Sequence, residues 1–403
     1  MKNKSKQYIV VHAGRRDDYQ IAQALLEAGL LKCLVTEFYS PLDNLIGKLL
    51  CRSNYLKNKL LNRYKIGLSS EKVTISYMAL CYFLLFHFTK QIKYDNYKNL
   101  ALGRKARSIS LKSDTPIISM NTYASSSFTE NPISPKILFQ FHPHPTFVKQ
   151  LLMEEMNICP KASISLSKEY EFSLSEIELK KLSKEIWLVD YIICASSITK
   201  QSLLAEGIAD KKIKVIPYGV DLEKFKYLQR PEPNPLFRVI FIGSLNQRKG
   251  IVYLLDALNS LKNIELLIVG RGIFDETLLS DYNFKISLYH DVPHEKLLSL
   301  LQQSHCFVLP SIIEGFGQVI LEAMATGIPV IASMNTAAAD IITHTKDGFI
   351  VPIRDSSSIS DHISLLQANS DLARKIGKAG YETSQLYTWK NFRSGIVNFL
   401  ISN

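Results

Sequence analysis

The chain has little that would tie it to a structural metal, a disulfide scaffold or a bilayer span. Its six cysteines, Cys33, Cys51, Cys81, Cys159, Cys194 and Cys306, form no C-x-x-C pair, and several sit inside apolar runs. Reduced, buried thiols in a cytosolic protein are expected from that usage. The first apolar stretch, Tyr8 to Val11, ends at His12 and is too short for a signal-peptide core. The longest apolar stretch, Val73 to Phe88, falls short of the ~20 residues a spanning helix needs. It is expected to be a buried helix, with a helix lying on a membrane surface as the alternative. There is a G-x-G at Gly270 and Gly272 but no complete G-x-G-x-x-G, which disfavours a nicotinamide dehydrogenase. No fixed-period repeat, zinc finger, helix-turn-helix or RNA-binding signature is present, so neither a solenoid nor a nucleic-acid partner is expected.

At 403 residues, with 46% hydrophobic and 21% charged residues, the chain can bury two cores of ordinary size. Its net charge of +11 is lopsided: 34 basic and 22 acidic residues precede Leu236, against 14 and 15 from Leu236 onward. Lys57, Lys59, Arg63, Lys65, Arg104, Lys105 and Arg107 mark one basic region. An anionic membrane face, a phospholipid acceptor or a polyanion would suit this half, and plain solubility is the alternative. The location that follows is cytoplasmic, with peripheral contact at the inner membrane face.

Both halves alternate short apolar runs with helical patterns, the mark of parallel sheets with crossover helices. Strands are expected at Tyr8–Val11, Pro116–Met120, Lys136–Phe141, Tyr191–Ala195 and Lys214–Pro217. The region from Pro41 to Lys112 reads as long, helical and basic. Residues 230–237, RPEPNPLF, carry three prolines and are expected to be a stiff linker between domains. Beyond it, strands are expected at Val239–Ile242, Glu265–Val269, Cys306–Leu309 and Val330–Ala332, with a final helix from about Tyr387 to Asn403. The expected division is residues 1–228 as an acceptor-binding domain and 229–386 as a donor-binding domain, with 387–403 packing back on the first.

The chemistry is concentrated in Pro310 to Ala323. A buried strand ends at Leu309, turns at Pro310, and a loop with Gly315 and Gly317 feeds a helix. Ligands of open α/β sheets sit beyond the carboxyl ends of strands, and free N–H groups at a helix start attract phosphate. Glu314 lies in the loop and Glu322 over two turns later, and a carboxylate can accept both hydroxyls of a sugar or ribose diol. Pro310-Ser311, Glu314 to Gly317, Glu322 to Ala325, Gly327 and Pro329-Val330 together resemble the signature of the retaining glycosyltransferases of family 4. Val239 to Ala257, Leu267 to Gly272, Tyr289 to Val292, Asp190 to Phe225 and Asp347 to Pro352 extend the likeness over most of residues 190–385. The resemblance implies a GT-B architecture, in which two doubly wound Rossmann-like α/β domains face a central cleft.

It also implies roles. Glu322 would hold the ribose hydroxyls and Glu314 a hydroxyl of the donor sugar. Backbone N–H groups at Phe316, Gly317 and Gln318 would contact the sugar or the diphosphate. Lys249, in the loop begun by Gly243, would neutralise the departing diphosphate; a solvated lysine at a helix start is the alternative. The nucleotide base would meet backbone near Val292. His142, after its strand, would face the reacting sugar, with His144 second; a structural loop histidine is the alternative. The Gly14 loop would border the cleft. The family's arginine after the first glycine is here Ser244, leaving Arg248 as the candidate second cation, and Asp340 stands where glutamate is typical. No D-x-D triplet for a divalent metal occurs. The expectation is transfer, with retention and without metal or cofactor, from a nucleotide diphosphate sugar to a hydroxyl acceptor. The acceptor would belong to cell-surface polysaccharide, glycolipid or related glycan synthesis and be lipid-linked or soluble. A sugar-nucleotide epimerase of the same fold and a non-catalytic nucleotide-binding protein are the alternatives.

Overall fold

Short apolar segments buried on both faces set the architecture. A computed structural model describes residues 6–15, 17–40, 63–229, 236–272 and 276–403. The proline-rich stretch expected as a linker falls, for residues 230–235, outside the described residues, as do Cys51, Lys57 and Lys59.

The N-terminal sheet has seven strands: β1 (Tyr8–Val11), β2 (Leu31–Thr36), β3 (Val73–Ile75), β4 (Ile117–Met120), β5 (Ile137–Gln140), β6 (Tyr191–Cys194) and β7 (Ile213–Val215). Their spatial order is β3-β2-β1-β4-β5-β6-β7, with every pairing parallel. The C-terminal sheet has six: β8 (Phe237–Ile242), β9 (Ile264–Val269), β10 (Lys285–Tyr289), β11 (Cys306–Leu309), β12 (Val330–Ser333) and β13 (Phe349–Val351). Their order is β10-β9-β8-β11-β12-β13, again all parallel. Helices cover both faces, so β1, β4, β9, β11 and β12 are wholly buried; β1 and β11 read as unbroken apolar runs, while β4, β9 and β12 carry Ser119, Glu265 and Ser333. In each sheet the strand order reverses between the first and fourth strands, which opens a crevice at β1/β4 and another at β8/β11. The Gly14, Lys249 and Glu314 loops follow β1, β8 and β11 respectively.

The last helix, Trp389–Ser402, is capped by the Thr388 hydroxyl and sends Phe392, Ile396 and Leu400 into the N-terminal core. Arg393 fixes it there by donating to Glu27 and Gln20, each at 2.8 Å. The returning chain crosses at Gly219, where a Cβ would stand 2.1 Å from the Trp389 nitrogen. Across the two halves, Val148, Leu152, Leu166 and Ile198 pack on Ile312 and Ile313.

The stretch Val73 to Phe88 is not one buried helix. Val73–Ile75 is the sheet's edge strand, and the Ser76 hydroxyl accepts the Ala79 N–H to start a helix over Tyr77–Thr89. That helix packs on one side against the helix Ile92–Ser113, and Ala79 is its one buried residue. Its place beside the edge strand leaves the other side uncovered. Cys81 on that side is exposed, unlike the four buried cysteines at 33, 159, 194 and 306.

Candidate active site

The loop after β8 begins at Gly243, whose φ of 154° a side chain rarely adopts. A Cβ there would lie 3.6 Å from the Lys249 Cε, so the lysine stem runs directly over the glycine. Asn246 accepts the Lys249 N–H at 3.2 Å and fixes a single 3-10 turn, Gln247–Lys249. Lys249 is thereby buried, and Gly250, at φ 71°, carries the chain into the helix Ile251–Asn259. Ser244 points outward and is exposed.

Glu314 is buried at 7% exposure and meets both cations of this turn. Its Oε1 lies 2.6 Å from the Lys249 Nζ and 2.5 Å from the Arg248 Nη1. Burial alone would raise its carboxyl, but Lys249 and then Arg248 outweigh that and hold it down to about 2. Burial shifts Lys249 the other way, below the usual lysine range, against the pull of Glu314. Arg248 also donates to the Ile313 carbonyl at 3.2 Å and to Glu169 at 2.9 Å. Arg248, beside Lys249, is the second cation of this turn, whereas Ser244 takes no part in the cluster. Both cations are neutralised by carboxylates, one from each half of the chain.

Across the cleft, His142 follows β5 and sits close enough to Glu314 to help stabilise its charge. Gln140 donates to the His142 carbonyl at 2.8 Å. His144 is wholly buried and lines the same cavity as His142, with Nε2 3.2 Å from the Ser183 carbonyl and Nδ1 3.1 Å from Glu206. Burial lowers its imidazole. Gly315 passes so near Phe141 that a Cβ would lie 2.1 Å from that carbonyl oxygen. Ser196 and Thr199 both donate to the Gly315 carbonyl, and the Ser197 N–H to Asp340. The signature loop is therefore clamped to the N-terminal half.

Phe316 is buried, edge-on to Tyr218 at 5.3 Å, and Gly317 turns at φ 80°. Among the described residues, the N–H groups of Phe316, Gly317 and Gln318 donate to no backbone carbonyl, as expected ahead of the helix Val319–Ala325. Glu322, on that helix, has its carboxyl raised by burial to about 7, opposed by Lys224. Val292, just past β10, is half-buried at the edge of the C-terminal core.

Of the expected residues, Gly14, His142, His144 and Arg248 line one cavity and Gln318 and Glu322 a second, while Glu314, Lys249, Gly243, Ser244, Phe316, Gly317 and Val292 line neither of these two. One, of about 570 Å³, is lined by Gly14, His142, Arg248 and Ile313 and walled by Phe83 and Phe86. The other, of about 690 Å³, is lined by Gln318, Glu322, Lys224 and Arg15. Gly14 reaches the first cavity, but its N–H donates to both oxygens of Glu37, at 3.0 and 3.1 Å, and is engaged within the protein.

Three acidic residues of the N-terminal half went unmarked by the motif. Glu37 holds Gly14 and pairs with Arg63 at 2.9 Å. Glu169 accepts from Asn246 and Arg248. Glu155, fully buried, accepts from Gln247 at 2.8 Å and from Arg354 at 2.7 Å. Their partners lie tens to hundreds of residues away, and no local spacing marks them.

Residues 223–383 match the family model described as Glycosyl transferases group 1. The chain is 26% identical over 186 residues to the amylovoran biosynthesis glycosyltransferase AmsK of Erwinia amylovora, covering 42% of this chain and 46% of that protein. It thus spans about half the length of the curated relatives it matches. Among solved structures it is similar to sucrose-phosphate synthase of Thermosynechococcus elongatus, with a TM-score of 0.68 at 18% identity over 98% of this chain and 99% of that one. It is also similar to Anabaena HepE in complex with UDP-glucose, with a TM-score of 0.62 at 15% identity over 98% and 100%. The fold is GT-B, and the comparisons support a glycosyltransferase.

Proposed function

We propose that the protein transfers a sugar from a nucleotide diphosphate sugar to a hydroxyl of a growing glycan, with retention at the anomeric carbon. The carrying observation is the buried cluster in which Lys249 and Arg248 converge on Glu314, facing His142 across the cleft. Two fixed cations in a site shielded from water suit a leaving group that develops negative charge. The donor diphosphate would take over Lys249 and Arg248, freeing Glu314 for a hydroxyl of the sugar. Glu322, at the second cavity, would accept the ribose hydroxyls. The bond from the anomeric carbon to the diphosphate breaks, and the acceptor oxygen bonds to that carbon on the same face. The acceptor proton passes to the departing phosphate oxygen. No side chain is a covalent nucleophile, and the two cations do the work a metal would otherwise do. Closure of the halves around Gly315 excludes water and suppresses hydrolysis.

The amylovoran enzyme's name and the UDP-glucose bound to HepE support a polysaccharide pathway and a nucleotide-sugar donor. The epimerase and the non-catalytic reading are not favoured by these likenesses. The test is binding of UDP-, GDP- and ADP-sugars to the wild type and to Glu322→Ala. Saturable binding of one nucleotide class, weakened in the variant, is expected. A folded protein that binds none of them would overturn the reading.

A further inference from the structure

The helix Tyr77–Thr89 is apolar all round, yet one side is bare. Tyr77, Met78, Cys81, Leu84, Leu85 and Phe88 recur at three- and four-residue steps, and all are exposed, Tyr77 at 76% and Phe88 at 80%. An all-apolar helix is normally buried on every side. Along the chain the charge beside this stripe is of one sign. No acidic residue occurs between Lys72 and Tyr94, and Lys90 and Lys93 are exposed at the turn into the next helix. That helix, Ile92–Ser113, presents Arg104, Lys105 and Lys112 to solvent. Asp95, its one acidic residue, pairs with Lys98.

We propose that this helical hairpin docks on an anionic lipid bilayer. The stripe from Tyr77 to Phe88 would enter the headgroup boundary while Lys90, Lys93 and the basic side of the second helix meet the lipid charge. An apolar stripe beside a cationic one is the pattern of surface-binding helices. A two-fold contact of the same patch with a second copy of the chain is the competing outcome that the test separates. No helix among the described residues is long and apolar enough to cross a membrane, so the contact lies along the surface. The opposite side of the same helix supplies Phe83 and Phe86 to the cavity that holds His142 and Arg248. Docking therefore sets that cavity at the lipid surface, where an acceptor with an apolar anchor would reach it. This last step rests on the proposed transfer reaction; the docking does not.

The full chain is sedimented with vesicles of phosphatidylcholine alone and of phosphatidylcholine mixed with phosphatidylglycerol, at low and high salt. Binding to the mixed vesicles at low salt is expected, with little to the neutral ones. Leu84→Glu/Leu85→Glu should abolish it. Lys90→Gln/Lys93→Gln should lower it by roughly 25-fold, at about fivefold per charge. Both variants should melt like the wild type. Failure of the wild type to bind mixed vesicles, or undiminished binding by Leu84→Glu/Leu85→Glu, would overturn the proposal. So would a lipid-free dimer that the same variant splits. Nucleotide-sugar binding is read on the same samples: vesicle binding without it sinks the transfer reaction and leaves the docking, and the reverse sinks the docking alone.

Discussion

Glu322 offers a test in which stability and binding move oppositely with pH. Burial raises its carboxyl from 4.5 to about 7, with Lys224 only partly offsetting it. A carboxyl raised on folding is protonated more readily in the folded chain, so its contribution becomes unfavourable as pH rises from 4.5 through 7. Above that window the penalty is at most about 3 kcal/mol, at 1.36 kcal/mol per pKa unit. Glu322→Gln removes the charge and should stabilise the protein by up to that amount at pH 8, and by almost nothing at pH 4. Urea midpoints of the two proteins at both pH values measure the difference. Donor binding should follow the ionised form. A carboxylate accepting two ribose hydroxyls is held ionised, so affinity should be about tenfold weaker at pH 6 than at pH 8. The donor's phosphodiester groups stay ionised across that range and supply no such step. A stability gain equal at both pH values would refute the buried-carboxyl argument. A pH-independent affinity, or one unchanged by Glu322→Gln, would refute the ribose contact.

Glu314→Gln should leave Lys249 and Arg248 buried and short of a counter-charge, costing about 3–5 kcal/mol. Because Glu314 is depressed to about 2 from 4.5, its contribution is complete above pH 4.5 and fades as pH falls through 2. The gap between the two denaturation midpoints should narrow accordingly. Gly315→Ala places a methyl 2.1 Å from the Phe141 carbonyl oxygen, so the loop or the halves must part; kcat should fall while a separate control, Gly29→Ala with nothing within 4 Å, keeps activity and loses about 1 kcal/mol of stability. Arg354→Ala leaves the fully buried Glu155 without its ion partner and should cost about 3–5 kcal/mol, seen in calorimetry as two transitions in place of one.

The parallel strands were readable because burial on both faces writes them as largely apolar runs. β1 and β11 have the expected bounds, β4 and β6 differ by a residue at one end, and β5 by a residue at each end. β13, with three residues, is too short to show a period, and β2 carries an exposed Lys32 that breaks its run. The helix Tyr77–Thr89 misled for the opposite reason: apolarity reports a preference for burial, not the neighbour that supplies it. Glu314 was singled out by the glycine-bearing loop after β11 and Lys249 by the resemblance. Their ion pair was not legible, because 65 residues separate them and only the fold brings them together. Glu169, Glu155 and Glu37 were not singled out, because each is defined by a partner that only the tertiary fold brings near.

Those silent carboxylates bear on how the site works. Two cations side by side in a buried turn repel each other, and Arg248 indeed pushes the Lys249 ammonium toward its neutral form. Glu314 and Glu169 make the arrangement tolerable by supplying negative charge from both halves. In the proposed transfer a diphosphate arriving there would exchange one set of anions for another, so its net gain would be the difference between them rather than the full attraction of two bare cations. That difference would grow as the phosphate gained charge on leaving, while the carboxylates it displaced would have none to gain. On that proposal the cations are already in place and oriented, and their stabilisation would go to the departing group rather than to the ground state. Glu169 adds a mechanical consequence. It belongs to the N-terminal half and grips Arg248 of the C-terminal half, so a donor that took over Arg248 would loosen one tie between the halves. The ion pair of the fully buried Glu155 with Arg354, which also links the two halves, would keep a second tie through the exchange.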